Sequence, residues 1–245
     1  MATAKDIIVK PIKANAANAL VKKVHYSGKV VANSILHFGV FLDGKLEGVM
    51  SFGSPLDKRK VLPLVKDTKW NEMLELNRMA FSDVLPRNSE SRALSIAFRL
   101  IKKHYPHIEW ILSFSDGTQC GDGTIYRASG FVLTGIRENS SLLLMPNGEI
   151  IAAMTLEANF TLPQVKAISD YLGVEHKYRT RNEWIKLGAS KLQGYQLRYI
   201  YFLNPQAKER LTCPIIPFSK IDEMGAGMYK GEKITLKDRR VKEQS

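Results

Sequence analysis

Two apolar runs, Leu36 to Leu42 and Leu46 to Phe52, meet at Asp43-Gly44, and this junction limits the fold more than any other feature of the chain. Glycine takes positive φ without steric cost, so an Asp-Gly pair between two such runs closes a tight hairpin and commits them to an antiparallel pair. The segments after Phe52 decide how that hairpin is covered. From Glu90 to Lys103, Ala93, Ala97, Leu100 and Ile101 share one face while Arg92, Arg99, Lys102 and Lys103 fall mostly elsewhere, the pattern of an amphipathic helix that Asn88 or Ser89 can cap. Ile108 to Phe114 (IEWILSF) reads as a buried strand ending at Ser115-Asp116-Gly117. Thr124 to Gly130 reads as a short helix closed by glycine, and Phe131 to Ile136 as another strand. The order strand, strand, helix, strand, helix, strand belongs to an α/β layer around a mixed sheet.

The flanking segments add to this. Residues 14–24 predict a helix broken at His25-Tyr26-Ser27-Gly28, and Trp70 to Arg78 suits a helix by composition, while Met73, Glu75 and Arg78 near a loop also suit a strand. Leu142 to Met145 and Glu149 to Met154 predict a second hairpin through Pro146-Asn147-Gly148, residues 162–172 a helix, and Tyr178 to Gly194 a basic, aromatic stretch without a period. Tyr195 to Leu203 alternates like a strand, so the sheet is completed only after the basic insertion at 155–194. One domain spanning 1–245 is expected, with a basic C-terminal elaboration and a disordered tail at 235–245.

Charge narrows the partner. The net charge is +12, of which residues 176–245 carry +8 and residues 1–175 carry +4. Such a surplus fits a polyanion, nucleic acid foremost, or a basic solubilising surface, and it concentrates in the C-terminal third. No apolar run nears the length of a bilayer span, and MATAKDIIVKPIKAN has no apolar stretch with a cleavage site, so a cytoplasmic protein with no membrane partner is expected. Cys120 and Cys213 lie far apart without a CxxC pair and are read as reduced and structural.

Four stretches then carry a resemblance: HYSG at 25–28, LPRNSESRALS at 85–95, SFSDGTQCGDGTIYRASGF at 113–131 and GYQLRYIYFLNP at 194–205. In this order they resemble the Mom DNA-modification family of bacteriophages over nearly the whole chain. The resemblance implies an α/β (α+β) fold like the GCN5-type acyltransferases. It also implies conversion of adenine in double-stranded DNA to N6-carbamoylmethyladenine, which protects phage DNA from host restriction in the host cytoplasm. Two other readings stay open: a coenzyme A-dependent N-acyltransferase acting on a protein or small amine, and a DNA-binding protein without catalysis.

Several side chains are candidates for the site. Asp116 stands where a buried strand emerges and can orient an amine or take its proton, whereas by resemblance Tyr126 matches a tyrosine general acid. The alternative is that Asp116 caps a turn and Tyr126 packs in the core. His25 and Tyr26 sit in a polar break suited to proton shuttling and base stacking, and Arg78 can orient an anion. Asn88, Ser91, Arg92 and Ala93 are the expected donor-binding residues at a helix N-terminus, although Ser91 and Ala93 also suit close helix packing. The glycines of the acyltransferase signature are absent there, and Glu90 adds a negative charge. Two donors therefore remain, acyl-coenzyme A and glycyl-tRNA. Arg179, Arg181, Lys186 and Lys191 are the expected DNA contacts, with tRNA as a second possible nucleic acid and a homodimer compatible with the chain. No HxxxH or clustered carboxylate pattern supports a metal site, although His25 and Asp116 can meet in space.

Overall fold

The computed structural model describes residues 2–25, 28–117, 121–139, 141–192, 194–229 and 232–233; Tyr26, Cys120 and the 235–245 tail lie outside the described residues. The chain forms two compact units. The first takes residues 1–115, 123–135 and 198–218, and the second takes residues 116–122, 136–197 and 219–245.

In the first unit, β1 (Ile8–Pro11), β2 (Ser34–Leu42), β3 (Lys45–Gly53) and β4 (Met73–Phe81) pair antiparallel in succession. Asp43 at φ 49° and Gly44 at φ 76° form the expected hairpin turn, with Leu42 facing Lys45. The ambiguous run before Arg78 is a strand from Met73 on. A ladder with β3 and the burial of Met73, Leu74, Leu76 and Ala80 outweigh its helical composition. Helix α1 (Ala14–Val24) buries Ala17 and Val21 against Val49 and Ala80. The short α2 (Lys58–Val61) lies between β3 and β4.

Helix α3 (Ser89–His104) crosses over from β4 to β5 (Trp110–Asp116), which runs parallel to β4. Ala93, Leu94, Ala97, Phe98 and Ile101 form its buried face. Phe98 stacks on Tyr201 at 4.2 Å between ring centroids, and burying such a ring contributes about 2 kcal/mol. The expected side-chain cap is absent. Asn88 holds the N-cap position in the left-handed region (φ 68°, ψ 11°) without capping through its side chain, and Ser91 Oγ donates to its carbonyl at 3.2 Å. Helix α4 (Thr124–Ala128) and β6 (Val132–Glu138) come next. The full strand order is β1-β2-β3-β4-β5-β10-β6, where β10 is Tyr195–Phe202, so the strand beyond the insertion sits between β5 and β6. The outcome is the expected α+β mixed sheet with helices.

The second unit holds a three-stranded sheet of order β8-β7-β9, with β7 Leu142–Leu144, β8 Ile150–Ala152 and β9 Ser190–Lys191. The predicted strand to Met154 stops at Ala152, where α5 (Ala153–Ala158) begins and turns Leu156 into the core. Helix α6 (Pro163–Tyr171) and α7 (Arg181–Lys186) complete that core around Leu143, Val165, Ile168 and Trp184. The stretch without a period thus starts α7, and Thr180 and Glu183 exchange bonds in a capping box whose T-x-x-E signature is visible in the sequence. Among the described residues no helix is long and apolar enough to cross a membrane.

Candidate active site

A bulge in β4 organises the first unit's polar cluster. Arg78 faces Ser51 and Leu76 faces Phe52 on β3, which leaves Asn77 as an extra residue. Such a bulge breaks the strict alternation of a strand and re-aims the side chains beside it. Asn77 is only 8% exposed, and its Oδ1 accepts from Ser34 Oγ at 3.2 Å. Space for it depends on Gly53. A Cβ at position 53 would lie 2.0 Å from the Asn33 carbonyl oxygen and 2.7 Å from Asn77 Oδ1.

Arg78 is fixed by main chain. Its Nε donates to the Lys29 carbonyl at 2.9 Å and its Nη1 to the Asn77 carbonyl at 2.7 Å, while among the described residues no carboxylate lies within ion-pair distance. The guanidinium is therefore oriented without being neutralised. His25 caps the C-terminus of α1, its N–H donating to the Val21 carbonyl at 3.0 Å. Burial, reinforced by the charge of Arg78, holds its imidazole at a pKa of about 4, so it is neutral at physiological pH. Glu75 shifts the other way: burial raises its carboxyl above the ordinary range, against the opposing bond from Asn77 and charge of Arg78. A neutral imidazole, a carboxyl with raised basicity and an oriented cation are the components of proton transfer beside an anion.

Pairing between β4 and β5 is confined to Met73–Glu75 with Trp110–Leu112, although both strands run further. Ser113, the first residue of β5 beyond the paired stretch, is fully buried, and its Oγ has no partner among the described residues. Leaving such a hydroxyl unsatisfied costs about 1–3 kcal/mol.

At the N-terminus of α3 a cavity of about 460 Å³ is lined by Lys5, Asn88, Ser91, Arg92, Ser95 and Arg99, among others. Three of the four expected donor residues thus reach it. Ala93 does not, being fully buried under the helix, and Glu90 is absent from the lining. Ser89 Oγ at the first turn is buried without a partner among the described residues. Three cations and a helix end without a side-chain cap fit a phosphate-bearing group.

Tyr126 on α4 is half-buried, its ring 5.2 Å from those of Phe131 and Tyr199. The approach to Tyr199 requires Gly123, at φ 75°, because a Cβ there would meet the Tyr199 ring at 2.5 Å. Asp116 ends β5 and belongs to the second unit, next to Gly117, whose N–H donates to the Tyr195 carbonyl at 2.7 Å. Lys186 and Lys191 are exposed. Arg179 is not: it is 6% exposed, and its guanidinium lies 5.2 Å from the Trp184 ring, so packing takes it away from the surface expected of a phosphate contact. The backbone N–H of Arg181 donates to Glu157 Oε1 at 2.9 Å. Among the described residues no three His, Cys, Asp or Glu side chains group as metal ligands.

Sequence reasoning passed over Glu75, Asn77, Ser34 and Gly53. The signal was the run Glu75-Leu76-Asn77-Arg78, three polar residues inside an otherwise apolar strand.

The mixed sheet with its flanking helices and a buried polar cluster on one strand define an α+β protein. The family model of the Mom protein family matches residues 6–220, and the chain belongs to that family. It is 35% identical over 217 residues to the methylcarbamoylase Mom of Escherichia phage Mu, covering 86% of this chain and 81% of that protein. Among solved structures it resembles Arabidopsis thaliana NAA60 in complex with a bisubstrate analogue (TM-score 0.46, 9% identity, 80% of this chain and 97% of that one). It also resembles the spermidine/spermine N-acetyltransferase SpeG from Vibrio cholerae (TM-score 0.44, 8% identity, 85% and 99%).

Proposed function

We propose that this protein modifies adenine in double-stranded DNA to N6-carbamoylmethyladenine and so protects phage DNA from restriction. The observation that carries the reading is the 35% identity to a methylcarbamoylase, extending over 86% of the chain. The β4 cluster supplies the chemistry such a reaction needs. The exocyclic amine of adenine is paired inside the duplex, so the base must leave the stack before it can react. Its lone pair is delocalised into the ring, and a base must take its proton as the new N–C bond forms.

Glu75, made more basic by burial, and the neutral His25 are the candidates to accept that proton, and Arg78 orients an anionic group of the donor. Asp116 is assigned to orienting the amine and Tyr126 to donating a proton to the leaving group; Tyr26 keeps its expected stacking role. Lys5, Arg92, Arg99 and Ser91 would hold the phosphates of the donor at α3, a task common to acyl-coenzyme A and the end of glycyl-tRNA. Either donor supplies an activated carbon unit. The product is joined through carbon, whereas a plain acyl transfer would leave a carbonyl on the amine, so the full conversion takes more than one step.

DNA from cells expressing the protein, digested to nucleosides and analysed by mass, should contain a modified deoxyadenosine. Unmodified nucleosides alone would reject the reading, and activity restored by adding glycyl-tRNA to purified protein and DNA would favour that donor over coenzyme A.

A further inference from the structure

A second groove in the first unit, of about 720 Å³, lies apart from the α3 cavity and is lined by Val30, Asn33, Pro55, Leu56, Lys58 and Trp70, among others. It presents two large apolar side chains to solvent, Leu56 at 94% exposure and Trp70 at 58%. Both side chains line the same groove. Among the charged side chains that line it, Lys58 and Arg59 outnumber Asp57. Lys58 Nζ lies 5.0 Å from the centroid of the Trp70 ring, and Arg59 is exposed with no carboxylate within ion-pair distance among the described residues. Lys60, by contrast, is engaged with Asp57 at 2.8 Å.

The groove is continuous with the β4 cluster. Asn33, on its wall, donates from Nδ2 to the Ser54 carbonyl, and its own carbonyl is the atom that excludes a side chain at Gly53. Lys29, immediately before Val30, supplies the carbonyl that fixes Arg78. One segment, residues 29–33, thus forms a wall of the groove and an anchor of the cluster.

An exposed aliphatic wedge, an exposed indole and adjoining cations are the side chains with which proteins part stacked bases and hold the flanking phosphates. We propose that this groove opens the duplex: Leu56 enters the base stack beside the target adenine, Trp70 stacks on an unpaired base, and Lys58 and Arg59 hold the neighbouring phosphates. The proposal rests on the reading that the protein acts on a base in duplex DNA. An acidic protein partner would also meet the charge, but it would not call for a wedge and a stacking ring side by side.

The test uses the full chain with duplex oligonucleotides carrying 2-aminopurine in place of adenine, whose fluorescence rises on unstacking. With Leu56→Ala or Trp70→Ala the rise should fall at least about fivefold, while duplex affinity changes less than about threefold, because wedge and platform act on the stack rather than on the phosphates. Trp70→Phe should restore most of the rise. Lys58→Ala with Arg59→Ala should reduce the salt dependence of binding by about two units, near 0.9 for each phosphate no longer neutralised. An undiminished rise in both single variants, an unchanged salt slope, or a dimer that dissociates in Leu56→Ala would overturn the proposal. Modified deoxyadenosine at wild-type levels in both single variants sinks the groove and leaves the catalytic reading standing. A fluorescence rise that depends on Leu56, with no modified deoxyadenosine from the wild type, does the reverse.

Discussion

The β3–β4 region of the first unit and the helical layer of the second treat their arginines in opposite ways. Arg78 is held by two main-chain carbonyls beside a neutral imidazole and a carboxyl of raised pKa, so its charge is aimed and left available. Arg179 lies on the face of Trp184, within an otherwise apolar core of Leu143, Leu156, Val165 and Ile168. The first arrangement buries a hydrogen-bonded Asn77 and closes only because position 53 lacks a side chain. The second contributes stability through packing. An arginine's place in the sequence does not reveal its task; its partners and burial do.

Substitutions can break that contrast, beginning with those of largest effect. Tyr126→Phe should cut modification by roughly 10²–10⁴, the range for lost proton transfer, and Asp116→Ala should lower it by misplacing the amine, with melting temperature little changed in both. Wild-type levels of modified deoxyadenosine in either variant would remove that residue from the chemistry. Trp184→Ala should instead lower stability by about 3–5 kcal/mol through the cavity it leaves, read by urea denaturation. A loss below about 1 kcal/mol would mean the second unit's core does not depend on this ring.

Gly53→Ala should cost about 1–3 kcal/mol and lower modification, because the new methyl would press on Asn33 and Asn77. A neutral result would show that the bulge has slack and need not hold Asn77. Replacing Lys186 and Lys191 together with alanine should reduce the salt slope of DNA binding by up to about two units, whereas Arg179→Ala should act on stability and leave the slope alone. A slope that responds to Arg179 would reverse their assignments.

The smallest effect concerns pH. The folded His25 pKa of about 4 lies below its ordinary value, so folding favours the neutral ring. The stability this gives is fully present above the unfolded value near 6.5 and is lost as pH falls towards 4. Melting temperatures between pH 7 and 4.5 should therefore decline less steeply in His25→Gln than in the wild type.

The sequence by itself determined the local elements. The Asp43-Gly44 hairpin, the amphipathic α3, the buried run into β5 and the strand after the insertion all arise from turn chemistry and periodicity, which act over neighbouring residues. Asn88, Ser91 and Arg92 were legible as a cavity lining for the same reason, since they share one helix end. Tertiary structure alone decided the rest. That β10 enters between β5 and β6, that Asn77 is the extra residue against β3, and that Lys29, His25 and Glu75 gather around Arg78 are matters of register and packing between segments distant in the chain. Glu75 and Gly53 escaped notice because a carboxylate's basicity and a glycine's necessity depend on what surrounds them, and no local pattern records a neighbour brought in from another strand.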